Sequence, residues 1–310
     1  MITPTEKRHL RNGLLFISPW LVGLGLFTAY PILASLYYSF CDYSVLQPAS
    51  WIGLGNYVDL FSDEVFWKAL GNTCFYALFA LPLGLFLAFG LALLLNTQVR
   101  GMAFYRTCFF LPSLVPMVAL AVLWLWIFNG EYGVLNYALK PVLGGVERLL
   151  RGLGWMGSCA PPAWLNDPKW SKPALILISL WGTGHAMVIY LAGLQDVPQH
   201  LYEAAELDGA GTWHKIRHVT LPMVSPVILF NLIMGLIGVF QFFAVPYVMS
   251  PQGAPARSTY FFAMYLYDHA FPYLRMGYAC ALAWILFLIV FALTLLALRL
   301  AERHVHYEGG

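Results

Sequence analysis

The sequence predicts an all-α, polytopic membrane protein with six transmembrane helices, and three observations carry that prediction. First, 60% of its 310 residues are hydrophobic and only 10% are charged, whereas a soluble domain carries about 25% charged residues. Second, marking every Asp, Glu, Lys and Arg leaves six long charge-free runs, at 12–41, 69–99, 107–130, 173–195, 218–256 and 276–298. The shortest holds 23 residues, which as a helix extends about 34 Å against a hydrocarbon core of roughly 30 Å. Third, the runs are continuously apolar and rich in Leu, Ala, Phe and Trp. A spanning segment must satisfy its backbone polar groups internally, and this makeup suits helices better than the alternating pattern of barrel strands. The net charge of +2 gives no reason to expect a nucleic-acid partner.

The apolar stretch behind Lys7, Arg8 and Arg11 is too long for the core of a secretory signal, so it reads as an uncleaved first helix. Basic residues put both termini in the cytoplasm. Lys7, Arg8, Arg11, Arg100, Arg106, Lys215, Arg217, Arg299 and Arg303 then lie inside, and the N-terminal cluster carries much of that orientation. Residues 42–68 and 129–172 become outer loops, the second rich in Gly, Pro and Trp, and neither is long enough for a catalytic domain. The whole chain, 1–310, reads as one transmembrane domain with a cytoplasmic loop at 196–222.

Enzyme signals are weak. Gly152-Leu-Gly-Trp-Met-Gly157 matches the dinucleotide-binding glycine pattern in form, but it runs into Ala160-Pro-Pro162 instead of a helix. No Gly-Lys dipeptide occurs, which excludes a phosphate-cradling P-loop, so a partner must use any ATP and Mg and this chain binds no cofactor itself. His214 and His218 share a helical spacing, yet Lys215 stands where a zinc protease has glutamate, and the pair reads as a solvated basic turn. Cys41, Cys74, Cys108, Cys159 and Cys280 fit no metal spacing and read as small apolar residues. Cys41 and Cys159 both face outward in this topology, and the sequence does not say whether they pair.

The loop after the fourth run is the most informative segment. Its residues predict two short helices. Asp196 caps the first, Pro198 sits where a helix start tolerates proline, and Gly209 supplies the left-handed residue that ends it. Thr212 caps the second, which places Trp213, Ile216 and Val219 on one side, and Pro222 marks the passage into the fifth membrane helix. Ala204 and Ala205 keep the first helix narrow, while Glu203, Glu206 and Asp208 supply acceptors. Such a helix can enter a groove on another protein.

Glu203-Ala204-Ala205, three residues, Gly209, nine residues, Val219, one residue and Leu221-Pro222 resemble the EAA-loop signature of ABC importer permeases. Val219 stands where isoleucine is usual, and Asp208 precedes the glycine as is common in the family. The resemblance covers nearly the whole chain and points to the maltose and glycerol-phosphate type of carbohydrate permease. It also runs through Gly53-Leu-Gly-Asn-Tyr57, Arg100-Gly101 with Phe104-Tyr-Arg-Thr107, and Phe110-Leu-Pro112. Phe128-Asn-Gly-Glu-Tyr-Gly133, Leu191-Ala-Gly-Leu194 and His304-Val-His-Tyr-Glu308 look similar too. What the resemblance implies is a type I importer fold in a bacterial inner membrane. It further implies a second homologous permease, two ATPase subunits that dock at the EAA loop, and an extracytoplasmic solute-binding protein.

Two other classes compete. A secondary transporter needs ionisable groups at membrane depth, and the six runs hold none of Asp, Glu, Lys or Arg. A membrane scaffold has no need of the narrow cytoplasmic helix. For a solute path, the polar positions at membrane depth are Gly182 with His185 on the fourth helix and Asn231 and Gln241 on the fifth. Each has the alternative of an interhelical hydrogen bond. A neutral oligosaccharide, a glycerol phosphodiester and a polyol all stay open as the solute.

Overall fold

The structure, a computed structural model, describes residues 4–97, 99–152 and 160–301, and of residues 4–6 and 150 the backbone alone. In chain order its helices begin with α1 (Pro4–Leu24), α2 (Tyr30–Ser39), α3 (Gly55–Ser62), α4 (Glu64–Leu95), α5 (Met102–Phe110), α6 (Met117–Ile127) and α7 (Val134–Gly152). They continue with α8 (Pro168–Trp181), α9 (Gly184–Gln195), α10 (Gln199–Leu207), α11 (Thr212–Lys215), α12 (Leu221–Phe240), α13 (Ala244–Met249), α14 (Phe262–Ala270) and α15 (Met276–Ala301). The Gly152 to Gly157 pattern, Cys159 and residues 304–308 fall wholly or largely outside the described residues.

Four segments are long and apolar enough to cross a bilayer as they stand: Lys7–Ser39, Glu64–Leu95, Thr212–Met249 and Met276–Ala301. Two bent pairs complete the set. Met102–Leu114 meets Met117–Ile127 at 95°, and Pro168–Trp181 meets Gly184–Gln195 at 45°. Counting each pair as one crossing gives six, at the six charge-free runs. The 95° corner replaces the straight helix expected over 107–130. Pro112 and Pro116 remove two backbone donors, and Val115 before the second proline is extended, with ψ of 127°. The milder bend opens at Gly182, whose N–H closes α8 on the Ser179 carbonyl at 3.2 Å.

The described residues divide into two compact units, one of 4–64 with 266–287 and the other of 65–265 with 288–301. In the first, an antiparallel hairpin, β1 (Cys41–Ser44) and β2 (Gln47–Trp51), pairs Cys41 with Trp51 and gives the expected outer loop regular structure. The Gly53-to-Tyr57 motif follows it. Gly53 takes a left-handed φ of 61°. Buried Asn56 donates its amide to the Ser39 and Cys41 carbonyls, both at 2.9 Å, and the Tyr57 hydroxyl donates to Ser39 Oγ at 2.9 Å. At the start of α15, Gly277 packs so closely that an added Cβ would overlap the Cys41 carbonyl oxygen. Burial, with Arg275 second, holds the His269 imidazole down to about 4. At neutral pH it is therefore uncharged, and it packs as a ring against Tyr273 and Tyr278.

The second unit is built on α4, α9 and α12, which share a core of Ala88, Ala92, Met187, Tyr190, Leu194 and Val224. Small residues bring these helices together: a Cβ on Gly193 would lie 2.7 Å from Val227, and one on Gly235 would lie 2.5 Å from Leu81. The fifth crossing stops at Met249, short of the charge-free limit at 256, because Pro251, Gly253 and Pro255 turn the chain into a loop. That loop is tied down by buried Asn72, whose amide donates to the Arg257 and Tyr260 carbonyls at 2.8 and 3.0 Å. Arg106 links α5 to the end of α4 by donating from Nη2 to the Leu95 carbonyl at 2.9 Å.

Candidate functional site

The loop between α9 and α12 is organised by backbone chemistry at its first turn-out. Gly209 has φ of 79°, and the helix before it closes with two further bonds, Gly209 N–H to Glu206 O at 3.0 Å and Ala210 N–H to Ala205 O at 2.9 Å. This paired pattern satisfies carbonyls that the end of a helix leaves free, and glycine adopts the required conformation without Cβ strain. The predicted end of the helix is thus present at Gly209.

Its predicted start is not. Asp196 lies in the last turn of α9, with its N–H on the Ala192 carbonyl at 3.2 Å, so it ends that helix instead of capping the next. Pro198 is the N-cap residue of α10 and makes no side-chain cap. Thr212 is likewise displaced by one position: Gly211 precedes the helix, and Thr212 is its first residue. From Thr212 the helix runs without a break through a five-residue π turn, Ile216–Thr220, into α12. Pro222 explains the widened turn, since its ring excludes the carbonyl four residues back and it has no N–H to offer.

The loop has an anchored side and a bare side. Tyr202 packs against the core of the second unit, and its hydroxyl lies 3.0 Å from Thr220 Oγ1. Val219 packs there too, while Lys215 pairs with Glu206 to brace the second helix on the first. Glu203, Ala204 and Asp208 are exposed, Ala205 is half-buried, and Glu203 makes no ion pair among the described residues. Two large apolar side chains also stand in the open, Leu207 at 91% and Trp213 at 68% of full exposure. Sequence reasoning missed Leu207, although an apolar residue two before a helix-ending glycine was its signal. Leu221 and Pro222 are half-buried at the base of the loop. The His214 and His218 rings lie nearly parallel, with His218 Nδ1 3.1 Å from the His214 carbonyl oxygen.

Higher in the same unit a cavity of about 590 Å3 opens between α4, the bend of α8 and α9, and α12. Gly182, His185 and Asn231 all line it, so three of the four positions singled out at membrane depth meet in one place. His185 presents its ring beside Phe110, with centroids 5.2 Å apart. Asn231 is buried and donates to the Val227 carbonyl one turn back at 3.0 Å. Gln241 does not join them: it is the exposed C-cap residue of α12, where the helix breaks. Ser179 and Thr183 add polar atoms that the sequence did not single out.

A helical, multiply spanning chain with an apolar-walled cavity at depth and a short exposed helix on an anchored loop has the architecture of a transport subunit. The profile of the family described as binding-protein-dependent transport system inner membrane component matches residues 80–305, and the chain belongs to that family. It is a membrane-spanning permease. It is 39% identical over 311 aligned residues to the probable ABC transporter permease protein YesP of Bacillus subtilis, covering 98% of this chain and 96% of that protein. To the sulfoquinovosyl glycerol transport system permease protein SmoG of Agrobacterium fabrum it is 34% identical, covering 93% and 89%. Its fold is similar to a chain in the crystal structure of a bacterial alginate ABC transporter in complex with an alginate pentasaccharide-bound periplasmic protein. The TM-score is 0.79 and the identity 24%, over 96% of each chain.

Proposed function

We propose that this permease forms half of the translocation pathway of an ABC importer for a sugar-containing solute, with α10 as the helix that couples it to a separate ATPase. The observation that carries the reading is the bare side of the loop, where Glu203, Ala204 and Leu207 stand exposed on a helix anchored from behind by Tyr202. A second homologous permease, two ATPase subunits that hold the ATP and Mg, and an extracytoplasmic solute-binding protein complete the assembly. The solutes for which SmoG and the alginate transporter are named support a sugar-containing solute. Affinity purification of the tagged chain from its native membrane tests the assembly. An ATPase and a second permease are expected to copurify, and recovery of the chain alone overturns the reading.

In this reading both termini are cytoplasmic, in the bacterial inner membrane. With the native cysteines replaced, Trp51→Cys is expected to react with an impermeant maleimide added outside intact cells, and Glu203→Cys only after permeabilisation. Outside labelling of Glu203→Cys reverses the orientation.

The cavity lined by His185 supports a place for the solute on its way through. His185→Leu removes a hydrogen-bonding group without removing bulk, so uptake affinity is expected to fall about three- to tenfold. Gln241→Leu, outside the cavity, is expected to leave it unchanged. Equal kinetics in His185→Leu and the parent protein return His185 to a packing role.

A further inference from the structure

The outer loop expected over 129–172 contains a 19-residue helix, α7, with an apolar row whose second half stands uncovered among the described residues. At 100° per residue, Leu135, Leu139, Val142, Val146 and Leu149 fall within about 80° of one another. Lys140, Glu147, Arg148 and Arg151 all lie about 80° or more outside that stripe. Leu135 and Leu139 are half-buried, but Val142, Val146 and Leu149 are exposed. On the opposite side, Arg151 pairs with Glu147 at 2.6 Å and Arg148 Nε donates to the Gly144 carbonyl at 3.1 Å, so those charges stay on the helix and in water.

The first turn of α7 is fixed where α6 ends. Asn129 Oδ1 accepts the N–H groups of Glu131 and Tyr132, both at 2.9 Å, and Gly133 N–H closes on the Asn129 carbonyl at 3.0 Å. Buried Asn136 donates to the Gly130 carbonyl at 3.1 Å and accepts from Trp164 Nε1 at 2.8 Å, and Trp164 stacks on Phe128. Trp126, Tyr132 and Tyr137 stand exposed around this junction. Exposed Trp and Tyr at the end of a crossing mark the headgroup level. A helix that starts at that level and carries apolar and charged faces on opposite sides has one arrangement that suits both, with its axis along the bilayer surface.

We infer that α7 is an interfacial helix that lies on the bilayer at the end of α6, with Val142, Val146 and Leu149 sunk among lipid acyl chains and Lys140, Arg148 and Arg151 facing water. Its occupant is the protein's own membrane. The test places a nitroxide in turn at Val142→Cys, Val146→Cys, Leu149→Cys, Lys140→Cys, Arg148→Cys and Arg151→Cys. The full chain, free of native cysteines, is reconstituted in phosphatidylethanolamine–phosphatidylglycerol nanodiscs. Power saturation against oxygen and a nickel chelate is expected to put the first three labels about 5–10 Å below the headgroups and the last three in nickel-accessible water. Nickel access along the Val142–Leu149 row equal to that of the charged side overturns the inference, because the helix then stands in solvent. Shielding of the row from both reagents overturns it as well, because another protein then covers the face.

Discussion

Glu203→Ala is expected to abolish solute-stimulated ATP hydrolysis and transport in the reconstituted importer while the membrane helices remain inserted. Glu203 is exposed on α10 and makes no ion pair among the described residues, so its removal costs the isolated subunit little. If α10 docks in an ATPase cleft as proposed, the same carboxylate would accept a charge-assisted bond from a basic group there, and its loss would leave that partner charge desolvated at about 2–5 kcal/mol. That is roughly a 30- to several-thousandfold weaker contact. Two further variants separate docking from charge. Ala204→Trp adds bulk on the exposed side, and Gly209→Val opposes a φ of 79° at a position with no neighbour within 4 Å, so its strain is of the backbone alone. Both are expected to release the ATPase or uncouple it. Wild-type stimulation and uptake in all three variants would falsify the coupling assignment.

Gly277→Ala is expected to cost stability more than any other alanine substitution proposed for this chain. The added carbon meets the carbonyl oxygen of Cys41, and Tyr38 O and Tyr43 N each lie 3.1 Å away, so backbone and not a flexible side chain must move. Overpacking of this kind costs about 1–3 kcal/mol and sometimes more. Asn56, which donates to the Ser39 and Cys41 carbonyls, resists the shift. Gly71→Ala in α4 is the control, because no atom lies within 4 Å of its added carbon and helical alanine gains roughly 0.5–1 kcal/mol over glycine. Thermal melting of the two purified variants in the same detergent is the measurement. A Gly277→Ala protein that melts with the parent would remove the close approach as a stabilising feature.

What could be read from the sequence followed the scale of each signal. Charge-free runs located the crossings because a bilayer acts on some 20 residues at once, and Gly209 located a helix end because one residue type dominates that position. Corners and caps were harder. Pro112 and Pro116 were visible, yet proline is tolerated in membrane helices, and only packing decides between a kink and a 95° corner. Asp196 and Thr212 were misassigned as caps because the choice turns on a shift of one or two residues. The α7 stripe was overlooked because Pro141 and the Gly144-Gly145 pair gave the segment the composition of a loop. At the cavity, depth along the helix picked out His185 and Asn231, which share one lining, but could not say which way Gln241 faces.

The unbroken helix that begins at Thr212 has a mechanical consequence. Asn231 sits 19 residues along it, about 28 Å from the end at Thr212 at 1.5 Å per residue. A hydrogen-bonded helix of that length acts as a lever, and the Glu206–Lys215 pair fastens α10 to its short arm. Movement of the loop is carried toward the cavity wall along this helix, and the π turn at Ile216–Thr220 with Pro222 and Pro226 marks where it can bend on the way. A few degrees of tilt at one end move the other by ångströms, enough to change the width of the cavity lined by Asn231 and Gly235.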